Sequence, residues 1–440
     1  MPYTRTMRSP RRPPTRLWLS PLLLWLMVLA VPGLLLAQGC QAPEHTFPFD
    51  YTGEPGIPVP VTFYSDVPQV EVVVDSGEPH DFLMDTGAPA TLLDVAAYGM
   101  DPGVVSTSTV ETLGITVLDL DCALLNLFGG ALSVGGILGG DVLRHFAVTL
   151  DYRGAWATLF VDLAGGPPPG GGDFGPTTTR AFEVRGGGLL ATPSGESLRV
   201  PPTRLVLSLD LEGHDVVAVV DTGASSVVLD ESLYYLLLGE RPDRPVLQGF
   251  EVLTVDAAQD VEITRIASLR IPNDSADTGT SDAEQSSVPA LVVLGSDALD
   301  HLSAETGRQV QALLGGAFLR YYQVTIDYPA RRMTLQPYLD TDHVDPDEYV
   351  SVGFVWDQVS TGNVVVERII PDSDADHQGV AEGDRILRAG VYDILFTGEG
   401  GVDSAVATSA LGETVSFTME RNDATAIYEI LVEDLLPPFE

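Results

Sequence analysis

The chain has 440 residues, a length that suits two to four domains, each with its own core. It carries 62 acidic residues against 23 basic ones, every one of them arginine, and the formal charge of −39 gives a surface that repels phosphate backbones and argues against nucleic acid as a partner. Cysteine occurs only at Cys40 and Cys122, which excludes a disulfide framework and a cysteine-based metal site.

The first 39 residues contain Arg5, Arg8, Arg11, Arg12 and Arg16 and no acid, then an apolar run from Leu17 to Ala37. That is a basic segment followed by the hydrophobic stretch of an export signal. The segment ends in AQGC, and small residues directly before Cys40 resemble the cleavage box of bacterial lipoproteins. The resemblance implies lipidation of Cys40, attachment to a membrane through the N-terminus and a place in the bacterial cell envelope. The alternative is an uncleaved membrane helix, since about 20 apolar residues span a bilayer, although Pro21 and Pro32 disfavour a straight one. In both cases the body lies outside the cytoplasm, and Cys122 is a small, unpaired core residue. Residues 40–60 are rich in Pro, Gly and acids without periodicity and form a tether.

From 61 to 162, short Val-, Leu- and Thr-rich runs alternate with Gly, Pro and Asp, the pattern of an all-β unit. Residues 163–202 contain GGPPPGGGDFGP from 165 and form a linker by composition. A second β-rich unit runs from 203 to 338, with a polar, acidic insertion near 272–287 and a helix-like segment at 297–313.

The two units share landmarks. FLMDTGAPATLLD at 82–94 returns as AVVDTGASSVVLD at 218–230, and ILGGDVLRHFAVTLDY at 137–152 returns as LLGGAFLRYYQVTIDY at 313–328. Two matched phrases in the same order imply internal duplication. A third Asp-Thr-Gly, Asp277 to Gly279, has no apolar flanks and is an ordinary loop tripeptide. Each flanked Asp-Thr-Gly holds a carboxylate on a tight turn between buried strands, with Gly allowing close approach of a second backbone and Thr tying the turn to its neighbour. Two such turns brought together put two carboxylates where both cannot ionise, so the pair keeps one proton. The ionised member then deprotonates a water while the other donates to a carbonyl oxygen, hydrolysis that needs neither metal nor cofactor.

These phrases resemble the retropepsin-like aspartic peptidases over 61–162 and 203–338. The resemblance implies two acid-protease β-barrel halves in tandem, mainly β, acting on a peptide or protein substrate. It makes Asp85 and Asp221 the catalytic pair, with Thr86, Gly87, Thr222 and Gly223 bracing the turns, and it suggests an intrachain pseudo-dimer. It also implies covering flaps, for which 110–120 and 246–256 are the candidate β segments. Two departures are Ala317 where the first copy has Asp141, and Pro89 directly after the first Asp-Thr-Gly-Ala. Two alternatives stay open: a non-catalytic scaffold or peptide-binding protein, and a site formed between halves of different chains.

From 349 to 436 a strand, a Pro-Asp-Ser turn into a short helix, and GVAEGDRIL resemble a PDZ domain of α+β fold. Ser351, Val352, Gly353 and Phe354 stand at that family's carboxylate-binding loop, which captures a peptide C-terminus as an added strand. His377-Gln378-Gly379 departs from the small residues usual before that Gly, and the lone histidines have no metal-ligand spacing.

Overall fold

The structure, a computed structural model, describes residues 24–25, 49–127, 133–161, 163, 174–253, 258–275, 280–345, 348–360 and 362–439. The leader apart from Leu24 and Trp25, the lipidation candidate Cys40 and the third Asp-Thr-Gly at Asp277 lie outside the described residues. The molecule is mainly β. It divides into a unit spanning Leu22–Thr341 together with Pro438–Glu440, and a unit built on Asp342–Pro437.

The larger unit contains two closed rings of strands. In the first, Val67–Val74 pairs with Pro79–Met84, which pairs with Gly136–Leu138, then Leu92–Asp94, Ile115–Leu125 and Val105–Thr112, and the last returns to Val67–Val74. In the second, the order is Arg204–Leu211, His214–Val220, Ala312–Leu314, Val227–Leu229, Ala283–Val293 and Ala258–Ile271, which closes on Arg204–Leu211. Strand chemistry explains the inward and outward faces. In Val67–Val74 the alternate residues Val70, Val72 and Val74 are buried while Glu71 is exposed, the period of two that a pleated strand imposes. Glu212 and Gly213 are both left-handed, as a two-residue turn between adjacent antiparallel strands requires.

A sheet joins the rings. Ala147–Asp151 runs antiparallel to Tyr322–Asp327 with Thr149 opposite Thr325, and their buried hydroxyls lie 3.0 Å apart. These threonines hold the same place in the two copies of the second landmark, so a residue meets its own counterpart, as an approximate two-fold axis demands. Trp156–Phe160 and Arg332–Pro337 flank the pair, and Phe146 and Tyr322, also counterparts, are buried beside it.

The structure departs from the sequence expectations in three places. The linker is ordered into strands from Thr178 on: Thr178–Ala181 extends the central sheet, Glu183–Arg185 pairs with Arg204–Val206, and Gly188–Ala191 pairs with Ser197–Val200 as a hairpin. Composition hid these because Gly and Pro sit in the turns while the short strands are only half apolar. The acidic insertion is partly strand, Ala283 to Ser286 lying opposite Ile271 to Ser268. And the segment 110–120 turns at Leu113 and Gly114 between two ring strands, whereas 246–256 opens with Val246–Leu253, which pairs with Ala258–Ile271 outside the ring order.

The smaller unit is a sheet in the order Phe354–Gln358, Val364–Ile369, Arg385–Ala389, Thr414–Arg421, Ala424–Leu431, with helices Asp374–His377 and Glu399–Ala407. Its core gathers Phe354, Trp356, Phe417, Val402 and Ile430.

Candidate active site

Each Asp-Thr-Gly turn leaves the end of a ring strand, Met84 in one half and Val220 in the other. The Gly-Gly pairs of the second landmark hold both turns from behind. Asp85 N–H donates to Leu138 O at 3.0 Å and Gly140 N–H to Ala88 O at 2.8 Å; Asp221 and Gly316 repeat these bonds at 3.1 and 2.8 Å. A Cβ at Gly139 would lie 2.2 Å from Ala90 O, and one at Gly315 2.2 Å from Ser226 O. Only glycine fits there, which explains why the two landmarks travel together.

The turns interlock across the axis. Thr86 N–H donates to Thr222 Oγ1 at 3.0 Å and Thr222 N–H to Thr86 Oγ1 at 3.1 Å, while the hydroxyls donate to Val220 O at 3.0 Å and Met84 O at 2.7 Å. Each buried bond contributes on the order of 1 kcal/mol net, and far more is lost if one partner goes. Gly87 and Gly223 are pressed against the opposite carboxyls: an added Cβ would stand 2.3 Å from Asp221 Cγ and 2.4 Å from Asp85 Cγ.

Asp85 and Asp221 are therefore neighbours, hydrogen-bonded side chain to side chain and 0 % and 2 % exposed. They are not electrically equivalent. Burial raises both, and the negative charge of Asp85 together with the hydrogen bond to it pushes Asp221 further up. Asp85 is held back by the hydrogen bond from Asp221, the charge of Arg204, and the N–H groups of Gly87 and Ala88 at 2.6 and 2.9 Å from its Oδ1. Asp221 accepts from Gly223 N–H at 2.9 Å. Asp85 Oδ2 is buried with no donor beside it except the Asp221 carboxyl. Burial and the neighbouring carboxylate therefore leave the pair one shared proton, and Asp221 is raised the further of the two.

Arg204 was not singled out by the sequence reading. Leu205 pairs with Val220, so Arg204 is the next residue on the ladder, level with Asp221. Its guanidinium meets Glu305 in two bonds, at 3.1 and 3.2 Å, with both side chains buried. The available signal was an arginine opening an otherwise apolar strand, but its partner lies 101 residues on.

In the smaller unit, Ser351, Val352 and Phe354 are buried, and Gly353 is left-handed at φ 72°. Its carbonyl accepts from Ile370 N–H and Ser373 Oγ, both at 3.0 Å, and a Cβ there would strike the Ser373 side chain at 2.4 Å. Phe354–Gln358 follows at the end of the sheet order.

No family model matches the chain, and no curated protein does. Among solved structures, the aspartic proteinase from Irpex lacteus is similar at a TM-score of 0.39 and 14 % identity, over 65 % of this chain and 98 % of that one.

Proposed function

We propose that the chain is an aspartic endopeptidase whose two retropepsin-like halves each supply one aspartate of a single site. The observation that carries this reading is the interlocked pair of turns, which brings the buried Asp85 and Asp221 carboxyls together at their junction. Asp85 takes a proton from water as the water oxygen bonds to the peptide carbonyl carbon, and Asp221 gives its proton to the carbonyl oxygen. In the resulting gem-diol, Asp85 returns its proton to the amide nitrogen, the C–N bond breaks, and a hydroxyl proton goes back to Asp221 as the carbonyl re-forms. The cycle balances with one water consumed.

Asp85→Asn and Asp221→Asn should each reduce hydrolysis of an unfolded protein substrate by at least about a hundredfold, since each removes one proton carrier. Retention of near wild-type turnover by either variant, with cleavage tracked by mass spectrometry, would leave the scaffold reading in its place.

In the smaller unit, an end strand preceded by the left-handed Gly353 supports a PDZ-like role, in which a peptide C-terminus pairs with Phe354–Gln358 and its carboxylate meets the N–H groups of Ser351 to Phe354. Free-acid peptides should bind more tightly than their amides; equal affinity rejects the role. Membrane attachment through lipidated Cys40 is tested by Cys40→Ala, which should release the protein from the membrane fraction.

A further inference from the structure

The halves differ in the strand paired outside their rings. Half 2 has the hairpin of Val246–Leu253 and Ala258–Ile271, with Val246 paired to Thr264 and Leu247 to Ile263. Half 1, among the described residues, has no strand in the place of Val246–Leu253. The rings can be aligned where Val74 faces Val110 and Asp210 faces Arg270, each the eleventh residue before its catalytic aspartate. Counted back from there, Gly103 to Val105 of half 1 correspond to Ile263 to Arg265 of half 2, the positions that take the start of the extra strand.

In half 1 the linker hairpin takes them instead. Ser194 Oγ donates to Gly103 O, and Val105 N–H donates to Glu196 Oε2 at 2.7 Å. Leu190, Leu198 and Val200 pack in one apolar cluster with Leu83, Ala88 and Ala90. That cluster lies on the outer side of the ring: Phe82 and Met84 point into the barrel core, while Leu83 between them turns the other way. Ala88 is the residue whose N–H binds the Asp85 carboxylate. The cluster therefore begins at the residue that holds the Asp85 carboxylate and extends along the outer face of the ring.

We propose that the linker hairpin Gly188–Val200 is the cover that half 1 lacks: it closes the cleft beside Asp85 with Leu190, Leu198 and Val200 standing where an apolar peptide side chain goes, and it lifts to admit the peptide. This rests on the peptidase reading above. The hairpin suits the task. Four residue pairs from Gly188–Val200 to Ala191–Ser197 hold it together, and a two-stranded hairpin alone is marginally stable, so its closed position depends on those three side chains and the two bonds at its tip. Gly187 is left-handed at φ 94° at its base, facing Pro201 and Pro202, and gives the hairpin a defined root.

A lock tests the lift. A Cβ at Gly103 would lie 3.2 Å from Ser194 Cβ, close to the about 3.5–4.5 Å that a disulfide spans. The oxidised Gly103→Cys/Ser194→Cys chain should lose at least tenfold in kcat/KM on a long apolar peptide and regain it on reduction, while the wild type is indifferent to reductant. Equal rates in the two redox states overturn the proposal. Gly103 is left-handed at φ 86°, so a cysteine there risks the fold, and a second measurement needs neither the lock nor activity. In the Asp85→Asn chain, a saturating mixture of apolar peptides should speed hydrogen exchange at Leu190 and Leu198 at least threefold. Unchanged or slowed exchange overturns the cover. Loss of cleavage in every chain, with exchange still responding, would reject the peptidase reading and leave the cover standing.

Discussion

Half 1 and half 2 agree closely at the axis and diverge away from it. Thr86 and Thr222 exchange near-equal bonds, Thr149 faces Thr325, and a Cβ added at Gly139 or at Gly315 would meet its turn at the same 2.2 Å. Away from those contacts the likeness is gone. Level with Asp221 stands Arg204, while the ladder in which Gln69 faces Leu83 puts Val67 level with Asp85. Behind the turns, Asp141 binds Thr91 in half 1, and Ala317 and Val227 take those places in half 2. A symmetric contact constrains both copies at once, so only atoms that meet their counterparts are held alike. Two halves fused in one chain are free to differ elsewhere, and here the difference puts the two aspartates in unequal surroundings.

The largest expected effect comes from breaking the axis itself. Gly87→Ala or Gly223→Ala drives a methyl into the opposite carboxyl at 2.3–2.4 Å, where something must move, and the turns separate. Hydrolysis should fall by at least about a hundredfold in both variants, since displacement of about 1 Å at a reacting group costs that much. Steady-state rates on a folded protein, checked by circular dichroism, decide it, and retained activity in one half would mean the approach is looser than the geometry states.

Next in size, Thr86→Val and Thr222→Val each remove a hydroxyl that donates to a buried carbonyl and accepts a buried N–H. Each should lower stability by about 2–4 kcal/mol, and the double variant by less than the sum because the residues share one network. Denaturant midpoints measure this. Unequal single-variant losses would show the symmetry at the axis to be only apparent.

Much of this was legible in the sequence because duplication repeats whatever the axis demands. The apolar run before each Asp-Thr-Gly gave the strands, and Gly139-Gly140 and Gly315-Gly316 marked a close approach whose target, the carbonyls of Ala90 and Ser226, only the structure identifies. Arg204 and Glu305 escaped because an ion pair 101 residues apart has no local period. The hairpin escaped because its partners Gly103 and Val105 and the apolar residues Leu83, Ala88 and Ala90 belong to half 1, and these last supply the burial that its own short strands lack. Cys122, expected in the core, is fully buried, and burial raises its thiol well above the usual range.

A smaller effect sharpens the contrast between Val67 and Arg204. The Arg204 charge favours ionisation at both aspartates, so Arg204→Met should move the acid limb of kcat/KM to higher pH. Glu305→Gln leaves that charge uncompensated and should move the limb to lower pH. Breaking a buried pair costs about 3–5 kcal/mol, so both profiles are taken well below the variants' melting temperatures. A purely structural role predicts two destabilised enzymes with limbs at the wild-type pH.

The smallest effect belongs to Asp141, which half 2 replaces with Ala317. Its carboxylate accepts from Thr91 N–H and Oγ1 at 2.9 and 2.8 Å and from Val142 N–H at 2.9 Å, yet burial outweighs these bonds and raises it from 3.8 to about 6. The folded protein then holds this proton to higher pH than the unfolded chain does. Its contribution to stability is fully present below about pH 4 and is lost as pH rises through about 6. Asp141→Asn cannot titrate, so the stability of wild type relative to this variant should decline across that window, by at most about 1.4 kcal/mol per pH unit, and level off above it. The dyad titrates in both proteins and cancels in the difference, while the hydrogen bonds lost to the amide add an offset that does not change with pH. Urea midpoints at pH 4, 5, 6 and 7 give the comparison. Parallel curves would mean that Asp141 ionises as easily folded as unfolded, and that the bonds from Thr91 fully offset its burial.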